Sequence, residues 1–499
     1  MTRNVRIGIF CALVALYVAT RLWHLTDSCL WFDEIYSVHA AEHSWVELLR
    51  FVALDLMHPP LFYVLLKIWI IAGGESLLWL RLLPVCLALV AIAPFHLLGR
   101  ELGLEKYGTS ELLALLFLSV NGSCLKYSQE VRMYSLLMLL GVTSIWLFIR
   151  YFNRGRSFWW LVGVNILLVW THYFGWFVIL SEVVAVLAIE RSRLRQIAGM
   201  CVVVMLSFAP WAIAVFRMAT STDVGQNIGW MARPGVIDVG RFLLNMVEPF
   251  YYPLSSVDAA SDYRVSVPIL LIAILALAAF LVSQGVSASR SIRLLALFWA
   301  CPIAAAFAMS WLGPYSIWGT RHLIVVFAPT ALLLGYLMSN IRQHALRLSA
   351  VTLVLLLCGY AGLTWALRAT PTYSWCAWEG VARSASEAGA DQLYNVEDLA
   401  AYHAWFAVRD GIGLRIVRLS GIDGLPQDNA YFLPRGFDGV AKADMPSLSG
   451  SPIWLAYRAR SLDEREPPLR NFLIKGYRLT DERRVPADGE DVYLIKLEK

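Results

Sequence analysis

The sequence predicts a polytopic α-helical membrane protein with about eleven transmembrane helices, surface-lying helices in its first outer loop and a C-terminal soluble α/β domain. Three observations carry this expectation. The chain is 58% hydrophobic, with mean hydropathy +0.59 and only 16% charged residues; soluble domains run nearer about 25% charged. Apolar runs approaching the ~20 residues that cross a bilayer recur along it. Charge is also partitioned: residues 371–499 carry 16 Lys+Arg and 19 Asp+Glu, a net −3, which leaves +8 for the remainder. That basic excess lies largely in short loops, which is the positive-inside distribution and not a nucleic-acid footprint.

The elements follow in order. The N-terminus, "MTRNVRIGIFCALVALYVATRLWHL", has a basic start and an apolar core without a small-x-small cleavage site, and reads as an uncleaved first span with Arg3 and Arg6 inside. Apolar runs stand at 7–25, 61–72, 77–98, 109–123, 132–150, 158–171, 173–190, 196–216, 266–284, 292–311, 322–339 and 348–367. The basic loops 150–157, 190–196, 289–293 and 340–347 should be cytoplasmic, and the mixed segment 99–106 joins them. All fall inside only if the run 61–72 does not span. That run is short and interrupted by Lys67, as interfacial segments are. The outer loops are then 26–76, 124–131, 171–173, 217–265 and 312–321, and the C-terminal region is outside as well.

Residues 370–499 form a second domain, after a membrane domain at 1–369. Its pattern alternates: "DQLYNV" as strand, "VEDLAAYHAWFAV" as helix, then "LRIVRLS", "NAYFLP", "PIWLAYRA", "YRLTDERRV" and "DVYLIKL" as strands. It has no phosphate-binding glycine motif. Eight cysteines are scattered without a CxxC pair, so no zinc or redox motif appears. Cys29 and Cys376 both fall on the outer side, which leaves a disulfide between them open.

Four polar clusters share the outer face. "LWFDEIYSVHAA" places Asp33 and Glu34 beside the bilayer, where carboxylates are costly unless they meet water, a partner or a substrate. "DLMHPPLFY" places His58 at a helix start marked by Pro59 and Pro60. "CLKYSQEVRMYSLL" sets Glu130 and Arg132 between Tyr127 and Tyr134. "PYSIWGTRHLIVVFAP" puts Arg321 and His322 at the outer end of a span; Arg81 and His172 occupy other outer ends. Each cluster alone reads as a helix boundary or an interfacial anchor. Together they suit a lipid phosphate bearing a polar head group, with arginines neutralising phosphate and a carboxylate acting as base on a hydroxyl.

Five of these pieces carry a resemblance: "WFDEIYS", "HPPLFYVLLKIW" with "RLLP" following, "YSQEVRMYSLL", "THYFGWF" and "GTRHLIVVFAP", in this order across residues 1–340. The sequence resembles the GT-C fold glycosyltransferases that use polyprenol-phosphate sugars, such as the protein O-mannosyltransferases and the aminoarabinose transferases of lipid A. The resemblance implies a polyprenyl-phosphate-linked sugar donor reached from membrane lipid, and a glycan, lipid or protein hydroxyl as acceptor. It puts Asp33 at the catalytic acidic position with Glu34 as its acidic neighbour. His58, Pro59 and Pro60 match the HPP-type motif. Glu130 takes a place often held by aspartate, followed by Arg132 and Tyr134, and Arg321 matches an arginine near a late span's outer end. Two positions depart: His322 stands where tyrosine is common, and His58 where aminoarabinose transferases commonly carry lysine, which argues against aminoarabinose. Some relatives use a metal and others do not, so a divalent metal stays open and no ligand set is assigned.

The expected chemistry is inverting transfer with Asp33 as base, on the extracytoplasmic face of a bacterial inner or plasma membrane. Catalytic roles fall to Asp33, Glu34 and Glu130; His58, Arg81, Tyr127, Arg132, Tyr134, His172, Arg321 and His322 are expected around the sugar and lipid phosphate. A glycolipid transporter or flippase is the alternative from another class. It would place polar residues near mid-membrane and often shows repeats, neither of which is visible.

Overall fold

A computed structural model describes residues 2–104, 109–219, 229–250, 263–284, 289–368, 372–411, 413–425, 433–487 and 489–499. The first helix, α1 (Arg3–Leu22), is capped by the Thr2 hydroxyl, which accepts from the Val5 amide at 3.4 Å. Three short helices follow, α2 (Phe32–Glu42), α3 (Trp45–Asp55) and α4 (Leu61–Gly73). At ~1.5 Å per residue none covers the ~30 Å of a hydrocarbon core. Pro60 caps α4. Lys67 of α4 donates to the carbonyls of Ala41 and His43 at 3.0 and 2.6 Å. The cation that interrupts the apolar run thus meets the C-terminal end of α2, where a positive charge is favoured.

The chain continues through α5 (Leu77–Val90), α6 (Ile92–Glu101), α7 (Ser110–Val120), α8 (Gly122–Gln129), α9 (Tyr134–Arg154), α10 (Phe158–Thr171), α11 (Gly175–Ile189) and α12 (Leu194–Ala219). Then come α13 (Val236–Val247), α14 (Ser266–Gln284), α15 (Arg290–Leu312), α16 (Phe327–Ser339) and α17 (His344–Leu367). All the apolar runs seen in the sequence are helical. Among the described residues, 6 helical stretches are long and apolar enough to cross a membrane, α5 and α6 counting as one, and shorter apolar helices accompany them. The chain is a multi-pass membrane protein.

Burial sorts these helices. Every residue of α7 is buried, and α9 and α16 are nearly so. A helix apolar all round belongs in the interior. By contrast α12, α14 and α17 leave Leu206, Leu275 and Leu356 exposed, as lipid-facing helices do. Gly335 explains how closely the centre packs. A Cβ there would stand 2.2 Å from the Ser110 carbonyl oxygen, so α16 and α7 approach backbone to backbone.

The C-terminal region is a mixed sheet in the order β3-β2-β1-β4-β6-β5. Strands β1 (Gln392–Asn395), β2 (Arg415–Ser420), β3 (Ala441–Asp444) and β4 (Ile453–Ala459) are parallel; β5 (Arg478–Val485) and β6 (Asp491–Glu498) run antiparallel. Helices α18 (Ala377–Glu387) and α19 (Asp398–Val408) pack on one face and α20 (Leu469–Ile474) on the other. Alternate residues separate the faces. Trp454, Ala456, Val492 and Leu494 join a core continuous with the membrane helices, whereas Ile453, Leu455, Tyr493 and Ile495 close a smaller core with Leu469 and Phe472. The expected strand "NAYFLP" lies largely outside the described residues, as does the proposed boundary at 369–370. Cys29 and Cys376 are joined in a disulfide.

Candidate active site

Asp33 sits in the first turn of α2. Its Oδ2 lies 3.3 Å from Arg321 Nη1, and both side chains are about a quarter exposed, at 24% and 23%. Glu34, its neighbour, is buried and fully engaged. Its Oε2 accepts from the Trp31 amide at 3.0 Å and from Arg81 Nη2 at 3.3 Å, and its Oε1 accepts from the Val131 amide at 2.9 Å. Two adjacent carboxylates on a helix point some 100° apart, and that rotation gives them different surroundings. One pairs with Arg321, which lines a cavity; the other ties α2 to the segment before α9.

Arg81 and Arg132, expected as phosphate ligands, are bonded to protein oxygens instead. Arg81 donates to the carbonyls of Leu25, Ser28 and Cys29 at 2.7, 2.9 and 2.8 Å, besides Glu34. Arg132 donates to the Asp33 carbonyl at 3.2 Å, Ser37 Oγ at 3.2 Å and Tyr63 Oη at 3.3 Å. Both are at least nine-tenths buried. A guanidinium presents several donors in a rigid fork, which suits gathering the loose carbonyls of a loop as well as phosphate. These two arginines hold the loop and helix that present Asp33.

A cavity of about 340 Å³ lies beside the Asp33–Arg321 pair. Helix α8 contributes Lys126 and Tyr127, α13 contributes Asp238, Arg241 and Asn245, and the segment before α16 contributes Trp318, Arg321 and His322. Asn121 sets two of these walls. Its Oδ1 caps α8 through the Cys124 amide at 2.9 Å, and its Nδ2 donates to the last carbonyls of α13, Asn245 and Met246, at 3.2 and 3.0 Å. Lys126, Arg241 and Arg321 give the cavity a cationic lining, and Asp238 stands 3.8 Å from Arg241. The sequence reading missed Lys126 and Arg241. Their signals were i,i+4 and i,i+3 spacings, Lys126 to Glu130 and Asp238 to Arg241.

Glu130 follows α8. Its Oε1 is 4.0 Å from Lys126 Nζ, and its buried Oε2 has no partner among the described residues. Burial pushes its carboxyl up to about 7, with Glu34 and Asp33 pushing the same way against Lys126 and Arg321. Tyr127 lines the cavity and packs its ring 5.1 Å from that of Tyr134, which is buried behind it.

The three histidines come together as a row. Ring centroids of His58 and His172 are 5.1 Å apart, and those of His172 and His322 5.5 Å. Burial is the main cause that holds each below the ordinary histidine value, His322 at about 3, with Arg132 and Arg321 adding to it. At each position these causes favour the neutral imidazole. His172 Nδ1 accepts from the Phe174 amide at 3.1 Å, so its proton is on Nε2, which is buried and unpartnered among the described residues. His322 lines the cavity, its Nδ1 donating to the Ile317 carbonyl at 3.2 Å.

Among the described residues no group of three or more His, Cys, Asp or Glu side chains is placed to hold a metal ion. Asp33 is paired with Arg321, and Glu34 has its bonds filled. Among the described residues these carboxylates are engaged by protein partners and are not grouped around a cation position.

No protein-family model and no curated protein matches the chain. Solved structures do. ArnT from Cupriavidus metallidurans bound to undecaprenyl phosphate matches with TM-score 0.60 at 11% identity, covering 99% of this chain and 98% of that one. The apo state of the same protein matches with TM-score 0.60 at 12% identity, over 98% of each chain. An Archaeoglobus fulgidus oligosaccharyltransferase in complex with Zn and sulfate matches with TM-score 0.50 at 14% identity, over 81% of this chain and 62% of that one. Over nearly its whole length, from the helices around Asp33 to the C-terminal sheet, the chain has the ArnT-like GT-C fold.

Proposed function

We propose that this protein is an integral-membrane glycosyltransferase that moves a sugar from a polyprenyl-phosphate-linked donor to an acceptor hydroxyl. The observation that carries this reading is the Asp33–Arg321 pair at the edge of a cavity lined by Lys126, Arg241 and Arg321. A carboxylate and a cluster of cations at one point are what the reaction needs: a base for the hydroxyl and positive charge for a leaving phosphate. The fold shared with ArnT, which is seen bound to undecaprenyl phosphate, supports the same donor class.

In this mechanism the Asp33 carboxylate takes the acceptor's hydroxyl proton. The oxygen forms a bond to the anomeric carbon as the bond from that carbon to the phosphate oxygen breaks. The electron pair leaves with the polyprenyl phosphate, and configuration inverts. Arg321 reaches both Asp33 and the cavity, so a phosphate bound there competes with Asp33 for the guanidinium and leaves the carboxylate freer to act as base. Glu34, Arg81 and Arg132 hold α2 in place. Tyr127 and His322 face the cavity, and His58, His172 and Tyr134 back it.

The proposal includes the topology: eleven spans, with α4 lying at the surface, a catalytic membrane domain at 1–369, and residues 370–499 as a second domain. The site and that domain face the extracytoplasmic side of a bacterial inner or plasma membrane. His58, standing where the aminoarabinose transferases commonly carry lysine, argues against aminoarabinose as the sugar.

A second reading concerns the base. Glu130, with a carboxyl near 7 and an unpartnered oxygen, has the proton affinity of a general base at neutral pH. The experiment is sugar transfer from a radiolabelled lipid donor by membranes carrying Asp33→Asn or Glu130→Gln. Loss confined to the first supports Asp33; loss confined to the second moves the base to Glu130; full activity in both removes the proposed chemistry.

A further inference from the structure

Helix α2 carries Asp33, yet its sequence, FDEIYSVHAAE, is a weak helix former with two β-branched residues and only 11 positions. Isolated helices shorter than ~12–15 residues are marginal. Its hold must come from its neighbours, and the C-terminal region grips it at three levels. Before its first turn, Cys29 is bonded to Cys376, 347 residues later. At its middle, His39 Nδ1 and the Tyr402 hydroxyl share a hydrogen bond at 2.8 Å, and Phe32 packs edge-on to Tyr402 at 5.3 Å between centroids. At its end, Arg409 bridges Glu42 at 2.9 Å and Glu75 at 3.0 Å. Tyr402 and His39 are buried, and burial holds His39 at about 3, so this contact stays neutral across working pH.

We propose that the C-terminal α/β region is a second positioning element for the helix that presents Asp33, beside Glu34, Arg81 and Arg132, acting through Cys376, Tyr402 and Arg409. The inference rests on the glycosyltransferase reading for its catalytic readout. A base must be held within about 0.5 Å of its working position. The first turn of a short helix is where fraying would move it most. The disulfide anchors the chain four residues before Asp33, and the other two contacts fix the helix along its axis.

The test uses the full-length protein with a lipid-linked sugar donor. Tyr402→Phe removes one hydroxyl and keeps the ring packing; Cys29→Ser removes the covalent anchor. Misplacing a reacting group by about 1 Å costs on the order of 10²-fold. The expected result is a kcat lowered about tenfold or more, with donor KM nearly unchanged, and partial rescue of Arg409→Met by Arg409→Lys. In the Asp33→Asn background Tyr402→Phe should lower the residual rate no further, because it acts through Asp33. A wild-type kcat in both single variants, or losses that add in full to that of Asp33→Asn, would overturn the proposal. Should the wild-type protein transfer no sugar, the transferase reading fails on its own. Hydrogen exchange then decides the inference: amides of residues 32–42 must exchange about tenfold faster in Cys29→Ser and Tyr402→Phe than in wild type, and unchanged exchange refutes it.

Discussion

Asp33 and Arg321 stand 288 residues apart in the chain and meet at 3.3 Å, one on a helix after the first span and the other before α16. The pair is neither fully buried nor fully exposed. A buried pair would be locked, and an exposed one would be worth little. At the edge of a cavity, Arg321 can trade a carboxylate for a phosphate.

Arg321 should therefore matter to catalysis more than to folding. Arg321→Ala is expected to lower kcat/KM for the lipid donor about 10²–10³-fold, the range lost with one preorganised donor to developing charge. Arg321→Lys keeps the charge without the planar fork and should recover part of it. Steady-state kinetics at several salt concentrations, beside a melting curve, measure both.

Arg81 should show the opposite balance. Arg81→Met leaves Glu34 buried without its cation and three loop carbonyls without a donor. Breaking a buried pair from one side costs about 3–5 kcal/mol. Yield and thermal midpoint in detergent are expected to fall, and donor KM to stay near wild type in whatever protein folds.

Glu130 gives a pH signature. Its folded carboxyl keeps a proton to about 7, whereas the unfolded chain releases it in the ordinary glutamate range. Between those limits the folded protein binds more protons, so its stability falls as pH rises through the window and levels off above about 7. Glu130→Gln removes the group. The gap in melting temperature between about pH 5 and about pH 8 should narrow in that variant, with its gain over wild type largest on the alkaline side.

Packing at the centre can be tested with two glycines. Gly335→Ala drives a Cβ to 2.2 Å from the Ser110 carbonyl, whereas a Cβ at Gly99 meets nothing closer than 3.8 Å. The first should destabilise by about 1–3 kcal/mol through overpacking. The second should gain about 0.5–1 kcal/mol from helix propensity. Thermal unfolding of both in one detergent makes the comparison.

Much of the fold was legible because bilayer-spanning helices are written as long averages. Apolar runs of this length survive an occasional misplaced residue, and all of them became helices. Lys67, which interrupts the apolar run of α4, meets the carbonyls at the end of α2. The sheet strands with alternating or continuous apolar residues were legible too. Strand β3, "AKAD", was not, because an edge strand of alternating half-buried and exposed residues carries no apolar pattern. Asp33, Arg321 and the histidines could be placed on one face from loop charge. Their pairing could not. Glu34 and Asp33 are adjacent in sequence and differ only in which way a helix turns them. Arg81, Arg132 and Arg321 look alike as outer arginines, and only the position of loop carbonyls tells a strut from a cavity cation. The Cys29–Cys376 bond joins two segments whose proximity depends on the whole fold.

The most direct measurement is transfer of sugar from a polyprenyl-phosphate donor by purified Asp33→Asn protein, with its melting curve matched to wild type. The account predicts a kcat lower by about 10²–10⁴-fold, the contribution of a positioned general base, and a donor KM within a few fold of wild type. Retained turnover at the wild-type rate, in a protein equally folded, would contradict it.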